Sequence, residues 1–253
     1  MDTLLADFAS GADLLLFLAA STAIFTGTLV QGATGIGLGM IAAPILLFID
    51  PRFVPGPLLV LALAVSILIA YRERHAIDFS GLVYALVGRV PGTIVAGLTI
   101  AAIPLQLFGL VFGVMVLLAV ALSAGRWVVL PSKRNLVVAG FASGYMGTLT
   151  SIGAPPIAIA YQRAEAPRIR STLAVFFVIG AAFSILTLAW FGKFTLEQLV
   201  ISLAFLPALL AGFWASRWVV MWTTGPWTRY AVLIISGLSA AILIFKSVGA
   251  TGG

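Results

Sequence analysis

The stretch from Gln31 to Pro44 reads QGATGIGLGMIAAP, and a related stretch from Ser143 to Pro156 reads SGYMGTLTSIGAPP. Four residues of the first stretch meet identical residues of the second at an offset of 112, and Pro91 meets Pro207 once a short insertion is allowed. Glycine and proline interrupt helices because glycine is conformationally free and proline lacks an N–H donor. We therefore expect two interrupted helical segments in matching halves, with structural breaks at Pro44, Pro155 and Pro156.

The composition surrounding these stretches is that of a membrane protein. The chain has 253 residues, of which 62% are hydrophobic and only 9% charged, and its mean hydropathy is +1.17. Soluble domains are about half apolar and a quarter charged, so lipid must cover much of this surface. We expect an all-α integral membrane protein in contact with the lipid bilayer.

Several kinds of site are disfavoured by the same composition. There is no Cys, which excludes disulfides, thiolate metal sites and Cys nucleophiles. The single His75 stands among charged residues in an expected loop, so we expect no metal and no cofactor. The net charge of +6 could indicate nucleic acid, but the basic residues lie between apolar runs. We attribute them to membrane topology and expect no nucleic-acid partner.

The chain contains ten apolar segments, five on either side of a polar break around residues 126–135. The break divides the chain into two predicted repeats, 1–125 and 126–253. Two of the segments are too short to span a bilayer comfortably. The segments are 14–34, 36–50 (short), 53–71, 79–101, 104–124, 136–150, 152–162 (short), 170–191, 197–216 and 228–246.

The positions of the basic residues support five segments in each half. If each short segment is paired with the one before it as two crossings, ten basic residues lie on one side and three on the other. Treating each pair as a single span gives seven against six, with no preference. The first group is Arg72, Arg74, Arg126, Lys133, Arg134, Arg163, Arg168, Arg170, Arg217 and Arg229; the second is Arg52, Lys193 and Lys246.

An odd number of segments per half makes the second repeat inverted relative to the first. Because cytoplasmic loops are rich in Lys and Arg, both termini are then predicted to be periplasmic. A re-entrant hairpin returns the chain to the side from which it started, as two full crossings do. The distribution of basic residues therefore leaves both arrangements open.

Inverted repeats place substrate sites near the midplane, on interrupted helices. The first turn of each short helix carries N–H groups without intrahelical partners, and this favours anions. The candidate substrate-binding residues at the breaks are Gln31, Thr34, Gly35, Gly37, Gly39, Thr148, Thr150, Ser151 and Gly153. The alternative is that small residues permit close helix packing and that Ser and Thr bond their own backbone.

Arg89 is the remaining candidate for substrate binding, near the centre of segment 79–101. A charge there costs about 2.5–3.5 kcal/mol or more and usually marks a transport pathway. No acidic residue lies deep in any predicted span, so an anionic substrate could be its partner. Two alternatives are a structural arginine bonded to backbone carbonyls and a misplaced boundary from which the side chain snorkels. Its counterpart in the second half is Phe205.

On Gln31–Gly39, the following Ala43-Pro44 and the related stretch Gly144–Pro156, the sequence resembles the sulfite exporter family TauE/SafE. The resemblance covers essentially the whole chain. It implies a multi-pass permease of the bacterial inner membrane for small sulfur-containing anions such as sulfite or organosulfonates. Members are often described with about eight spans, and re-entrant pairs would account for the difference from ten segments.

We therefore expect export of a small anion by alternating access, and no enzyme activity, since neither a nucleophile with its base nor a metal site is evident. Uptake of a related organic anion by cation symport and a non-transporting assembly subunit remain alternatives. A homodimer is left open, as are the exact substrate, the direction of transport and the coupling ion.

Overall fold

The computed structural model describes residues 11–125, 129–161, 165–223, 233–242 and 244–245. These residues are almost entirely helical and contain no strand, which confirms the all-α prediction. The helices are α1 (Gly11–Thr34), α2 (Leu38–Ile49), α3 (Gly56–Arg72), α4 (Phe79–Ala102), α5 (Leu105–Ala124), α6 (Lys133–Thr150), α7 (Ala154–Tyr161), α8 (Ala166–Trp190), α9 (Leu196–Thr223) and α10 (Leu233–Ile242).

Within the described residues, six stretches are long and apolar enough to cross a membrane, which makes this a multi-pass membrane protein. They are Leu14–Thr34, Pro51–Arg72, Phe79–Ala102, Leu107–Ala124, Ala166–Trp190 and Leu196–Trp218. The helices α2 and α7 have 12 and 8 residues. At about 1.5 Å per residue they are much shorter than a hydrocarbon core of about 30 Å. The two short segments predicted from the sequence are therefore confirmed.

Each short helix folds back on the helix before it. A Cβ on Gly27 of α1 would lie only 3.0 Å from the Cα of Leu38 at the start of α2. In the second half, a Cβ on Gly147 of α6 would lie 3.1 Å from the Cα of Gly153, and the Ser143 hydroxyl donates to the Gly153 carbonyl. The predicted pairs are therefore helical hairpins, and the second arm of each is too short to cross the core alone.

The hydrogen bonds at the two breaks recur at an offset of 116 residues, not 112. The hydroxyls of Thr34 and Thr150 each donate to the carbonyl four residues earlier, at 2.9 and 2.7 Å. Each also accepts from the amide two residues later, at 3.4 and 3.2 Å. Pro91 of α4 and Pro207 of α9 stand at the same offset, so no insertion is needed to align them.

Helices of the two halves exchange partners. The helix α4 packs against α6 and α8, and its counterpart α9 packs against α1 and α3, while α3 and α8 pack on each other. The backbones of α4 and α6 lie so close together that a Cβ on Gly88, Gly92 or Gly140 would overlap a backbone carbonyl of the facing helix. Glycine at these positions permits the close contact. This exchange is compatible with two inverted repeats.

Basic residues from the larger predicted group gather at one end of the bundle. There Arg170 binds Glu73 through two hydrogen bonds of 2.8 and 3.0 Å, and Arg168 pairs with Asp78 at 2.6 Å. Arg72 donates to the Gly32 carbonyl and to the Ser216 hydroxyl. Arg52, of the smaller group, pairs elsewhere with Asp50 and Glu197. Arg126, Arg163, Arg229, Lys246 and both termini lie outside the described residues.

Candidate functional site at the two helix breaks

The first break owes its shape to two glycines. Gly35 has φ of 89° and Gly37 has φ of 155°, a region that residues with a Cβ rarely adopt. At the second break, Ser151 takes a left-handed conformation with φ of 62°, and Gly153 provides room for the hairpin. The chain thus stops one helix and starts the next within three residues at both places.

Gln31 closes part of the first break. Its side-chain Oε1 accepts a hydrogen bond of 3.0 Å from the Leu38 amide, the first N–H of α2. The first N–H groups of a helix have no intrahelical acceptor, and Gln31 supplies an acceptor for one of them. The same hydrogen bond holds the side-chain amide of Gln31 at the break. One donor expected to face a ligand is therefore already paired.

The second break offers fewer backbone donors than the sequence interpretation assumed. The helix α7 begins Ala154-Pro155-Pro156, and neither proline has an N–H. The expectation of two comparable helix N-termini is therefore corrected. The positive group at this break is a side chain, the guanidinium of Arg89.

The two breaks touch each other. A Cβ on Gly39, in the first turn of α2, would overlap the carbonyl of Ser151. The Ser151 hydroxyl in turn donates to the Pro55 carbonyl at 3.0 Å, just before α3. Broken backbone inside a membrane is tolerated only when it is buried in protein or lines a cavity, and both descriptions fit these two breaks.

A cavity lies where the breaks meet, and its empty volume is about 470 Å³ when the adjoining space open to solvent is included. Six of the predicted site residues line it: Gln31, Gly37, Gly39, Arg89, Ser151 and Gly153. The rest of the wall comes mainly from α3 and α8, including Leu59, Ala62, Ser66, Phe177 and Ala181. Sequence reasoning missed these five because neither helix is broken or charged at this depth; the only available signal was a serine inside an apolar span.

The other four predicted residues lie outside the lining of this cavity. Thr34 and Thr150 bond their own helix ends, and a Cβ on Gly35 would lie 3.1 Å from the Cα of Arg170. The Thr148 hydroxyl is 2.8 Å from that of Ser184 in α8. These contacts are those of the alternative interpretation, in which Ser and Thr stabilise backbone and helix packing, and a role in substrate binding stays a prediction for all four.

Arg89 is buried, with 3% of its surface exposed. Its Nη1 donates to the Ser143 hydroxyl at 3.0 Å, and its guanidinium lies 4.7 Å from the centre of the Phe176 ring. The Nε–H has no partner, and no ion pair to Arg89 forms in the part of the chain that the structure describes. A snorkelling arginine is thus ruled out, and a buried cation without a carboxylate faces the cavity.

Gly180 makes this position of Arg89 possible. A Cβ at Gly180 would overlap the Nε and Cζ atoms of the guanidinium. The side chain is therefore held from three directions, by Ser143 of α6, by Phe176 of α8 and by the bare backbone of Gly180. Among the described residues, no group of three His, Asp or Glu side chains lies close enough to hold a metal.

The match to a known family covers nearly the whole chain. The family model described as Sulfite exporter TauE/SafE matches residues 19–243. No curated protein and no solved structure matches. The matched range includes both breaks, Arg89 and every residue that lines the cavity. The chain belongs to the sulfite exporter TauE/SafE family of membrane transporters.

Proposed function

We propose that this protein exports a small sulfur-containing anion, such as sulfite or an organosulfonate, through the cavity between the two helix breaks. The observation that supports this most directly is the guanidinium of Arg89 in the cavity wall, which has no carboxylate partner among the described residues and leaves its Nε–H without an acceptor. A buried charge is costly unless it is paired. An anion entering the cavity supplies the missing partner.

The direction follows from the charges of the transported species. An interior-negative potential drives an anion outward by about 2.3 kcal/mol per charge per 100 mV, so export needs no coupling ion. The described acidic residues, such as Glu73, Asp78 and Glu197, stand at helix ends. A carboxylate proton relay through the interior of the described spans is therefore absent from the proposed mechanism.

Alternating access fits the arrangement of the two hairpins. We assign the repeats to 1–125 and 126–253, inverted relative to each other, with the exchanged helix partners in support. Rocking of one repeat against the other would open the Gly39–Ser151 contact on alternate sides. The end that carries Arg72, Arg168 and Arg170 faces the cytoplasm in this proposal, which places both termini in the periplasm of a bacterial inner membrane.

The test is anion flux in proteoliposomes, with radiolabelled sulfite and taurine-like sulfonates, for the parent and Arg89→Ala. We expect the parent to carry at least one of these anions and Arg89→Ala to lose tenfold or more of the flux. Arg52→Ala is the matched control, because Arg52 is an exposed, ion-paired arginine that does not line the cavity. A folded parent that carries no anion, or a folded Arg89→Ala variant with parental flux, would overturn the proposal.

A further inference from the structure

Ser66 differs from most hydroxyl residues in the described helices. Thr99, Ser184 and Ser202 each donate to the carbonyl four residues earlier, at 2.7 to 2.9 Å. Ser66 of α3 is fully buried, and its hydroxyl has no hydrogen-bond partner. An unpaired buried hydroxyl costs about 1–3 kcal/mol, so such a group in a native protein requires an explanation.

The place of Ser66 in the fold supplies one. Ser66 lines the same cavity as Arg89, one turn beyond Ala62 and two beyond Leu59 on one face of α3. Arg89 Nε is also buried without a partner. Two residues on different helices, each with one unpaired buried donor, thus line one cavity, and the neighbouring wall of α3 is apolar.

Both unpaired groups belong to the first half of the chain. At the offset of 116 residues, Ser66 corresponds to Ala182 and Arg89 to Phe205. If the fold of each half required a polar side chain at these positions, both halves would carry one. Only the first half does, so the fold does not account for the two donors. They are specific to two residues that line one cavity, as expected of a ligand site.

We propose that Ser66 is a specificity-determining residue that donates its hydroxyl to the anion paired with Arg89. The inference rests on the proposed function and deepens it. A hydroxyl and a guanidinium on different helices together select an anion with at least two acceptor oxygens, because a monatomic halide has a single centre to share between them. Ser66 thus adds to the proposed site a means of distinguishing its oxyanion from chloride.

The experiment compares Ser66→Ala with Thr28→Val in purified full-length protein. Thr28 is an ideal control because its hydroxyl is also buried and unpaired, and it does not line the cavity. Thermal stability in detergent is measured without anion, then with sulfite, methanesulfonate or chloride, and flux is measured in proteoliposomes. Without anion, both variants should be as stable as the parent or more so, since each loses an unsatisfied group.

With anion, the two variants should separate. We expect Ser66→Ala to weaken sulfite and methanesulfonate affinity about tenfold, to leave chloride affinity unchanged, and so to reduce the oxyanion preference. Thr28→Val should bind all three anions as the parent does.

Other results are equally decisive. Unchanged oxyanion affinity in Ser66→Ala, with a parent that binds sulfite, overturns this inference and leaves the proposed function standing. A large loss of unliganded stability in Ser66→Ala would reveal a structural partner for the hydroxyl and also overturn it. A folded parent that neither binds nor carries any anion refutes the proposed function, and the inference with it.

Discussion

Replacing Gly180 by alanine tests how Arg89 is held, without removing the charge. The new Cβ would overlap the guanidinium, and the overlapped Nε and Cζ atoms belong to a side chain that is itself buried. Arg89 must therefore move away from Ser143 and from the Phe176 ring. We expect Gly180→Ala to fold less stably than the parent and to lose most of its anion flux.

The size of the effect can be worked from the contacts that would be lost. A hydrogen bond to a charged group contributes about 1.5–3 kcal/mol, and the cation–π contact with Phe176 contributes about 0.5–2 kcal/mol. Alanine within a helix gains about 1 kcal/mol over glycine. The net expected destabilisation of Gly180→Ala is about 1–4 kcal/mol.

The assay is a double-mutant cycle on unfolding in detergent, with Gly180→Ala, Arg89→Ala and the double variant. Once the guanidinium is gone, the Cβ at position 180 has room, so Gly180→Ala should be neutral or stabilising in that background. Gly237→Ala is the matched control, since its Cβ would have no atom nearer than 3.9 Å. If Gly180→Ala destabilises the Arg89→Ala variant as much as it destabilises the parent, the two residues do not share space and the reasoning fails.

Two further substitutions test charge inside and outside the cavity. Gln31→Glu keeps an oxygen to accept from the Leu38 amide, so the variant should fold, but its added negative charge should reduce anion flux tenfold or more; parental flux would show that Gln31 does not face the anion. Asp78 accepts hydrogen bonds from Ser80 and Arg168, which hold its pKa below the ordinary value. The ionised Asp78 carboxylate thus stabilises the folded protein at a pH above its ordinary pKa. This stabilisation is lost as the pH falls through the lowered pKa of the folded state. Asp78→Asn should lower the melting temperature at pH 7, with a difference that shrinks below about pH 4; a difference independent of pH would contradict the lowered pKa of Asp78.

Both breaks lie within the stretches predicted from the sequence, because they depend on local backbone preferences. They lie at residues 35–37 and 151–153 and not at the predicted prolines, since Pro44 is inside α2 and Pro155 and Pro156 are in the first turn of α7. Glycine at 35 and 37 permits positive φ, and a helix cannot continue through such residues. Arg89 was equally visible, since one charge in a long apolar run carries a transfer cost that requires an explanation. The ion pairs of Arg168 and Arg170 at one end of the bundle agree with the charge count made on the sequence.

The offset between the two matching stretches was not predicted correctly. Matching of glycine and proline favoured an offset of 112, whereas the hydrogen bonds place Thr34 with Thr150 and Gly37 with Gly153. Identical glycines are frequent in an apolar chain and weigh little. The recurring feature is Thr-X-Ile-Gly at 34–37 and 150–153, and its hydrogen bonds show that the threonine closes a helix end in both places.

The sequence by itself determined that the chain lies in a membrane, where its helices break and which charge is buried, because these are properties of single residues and their immediate neighbours. Only the tertiary structure decided that Gly39 meets Ser151, that Gly180 admits Arg89 and that Ser66 lines the same cavity. A cavity exists where packed helices leave space unfilled, and that depends on side chains far apart in the chain. Local preference cannot specify such a space, because it carries no information on which helices become neighbours.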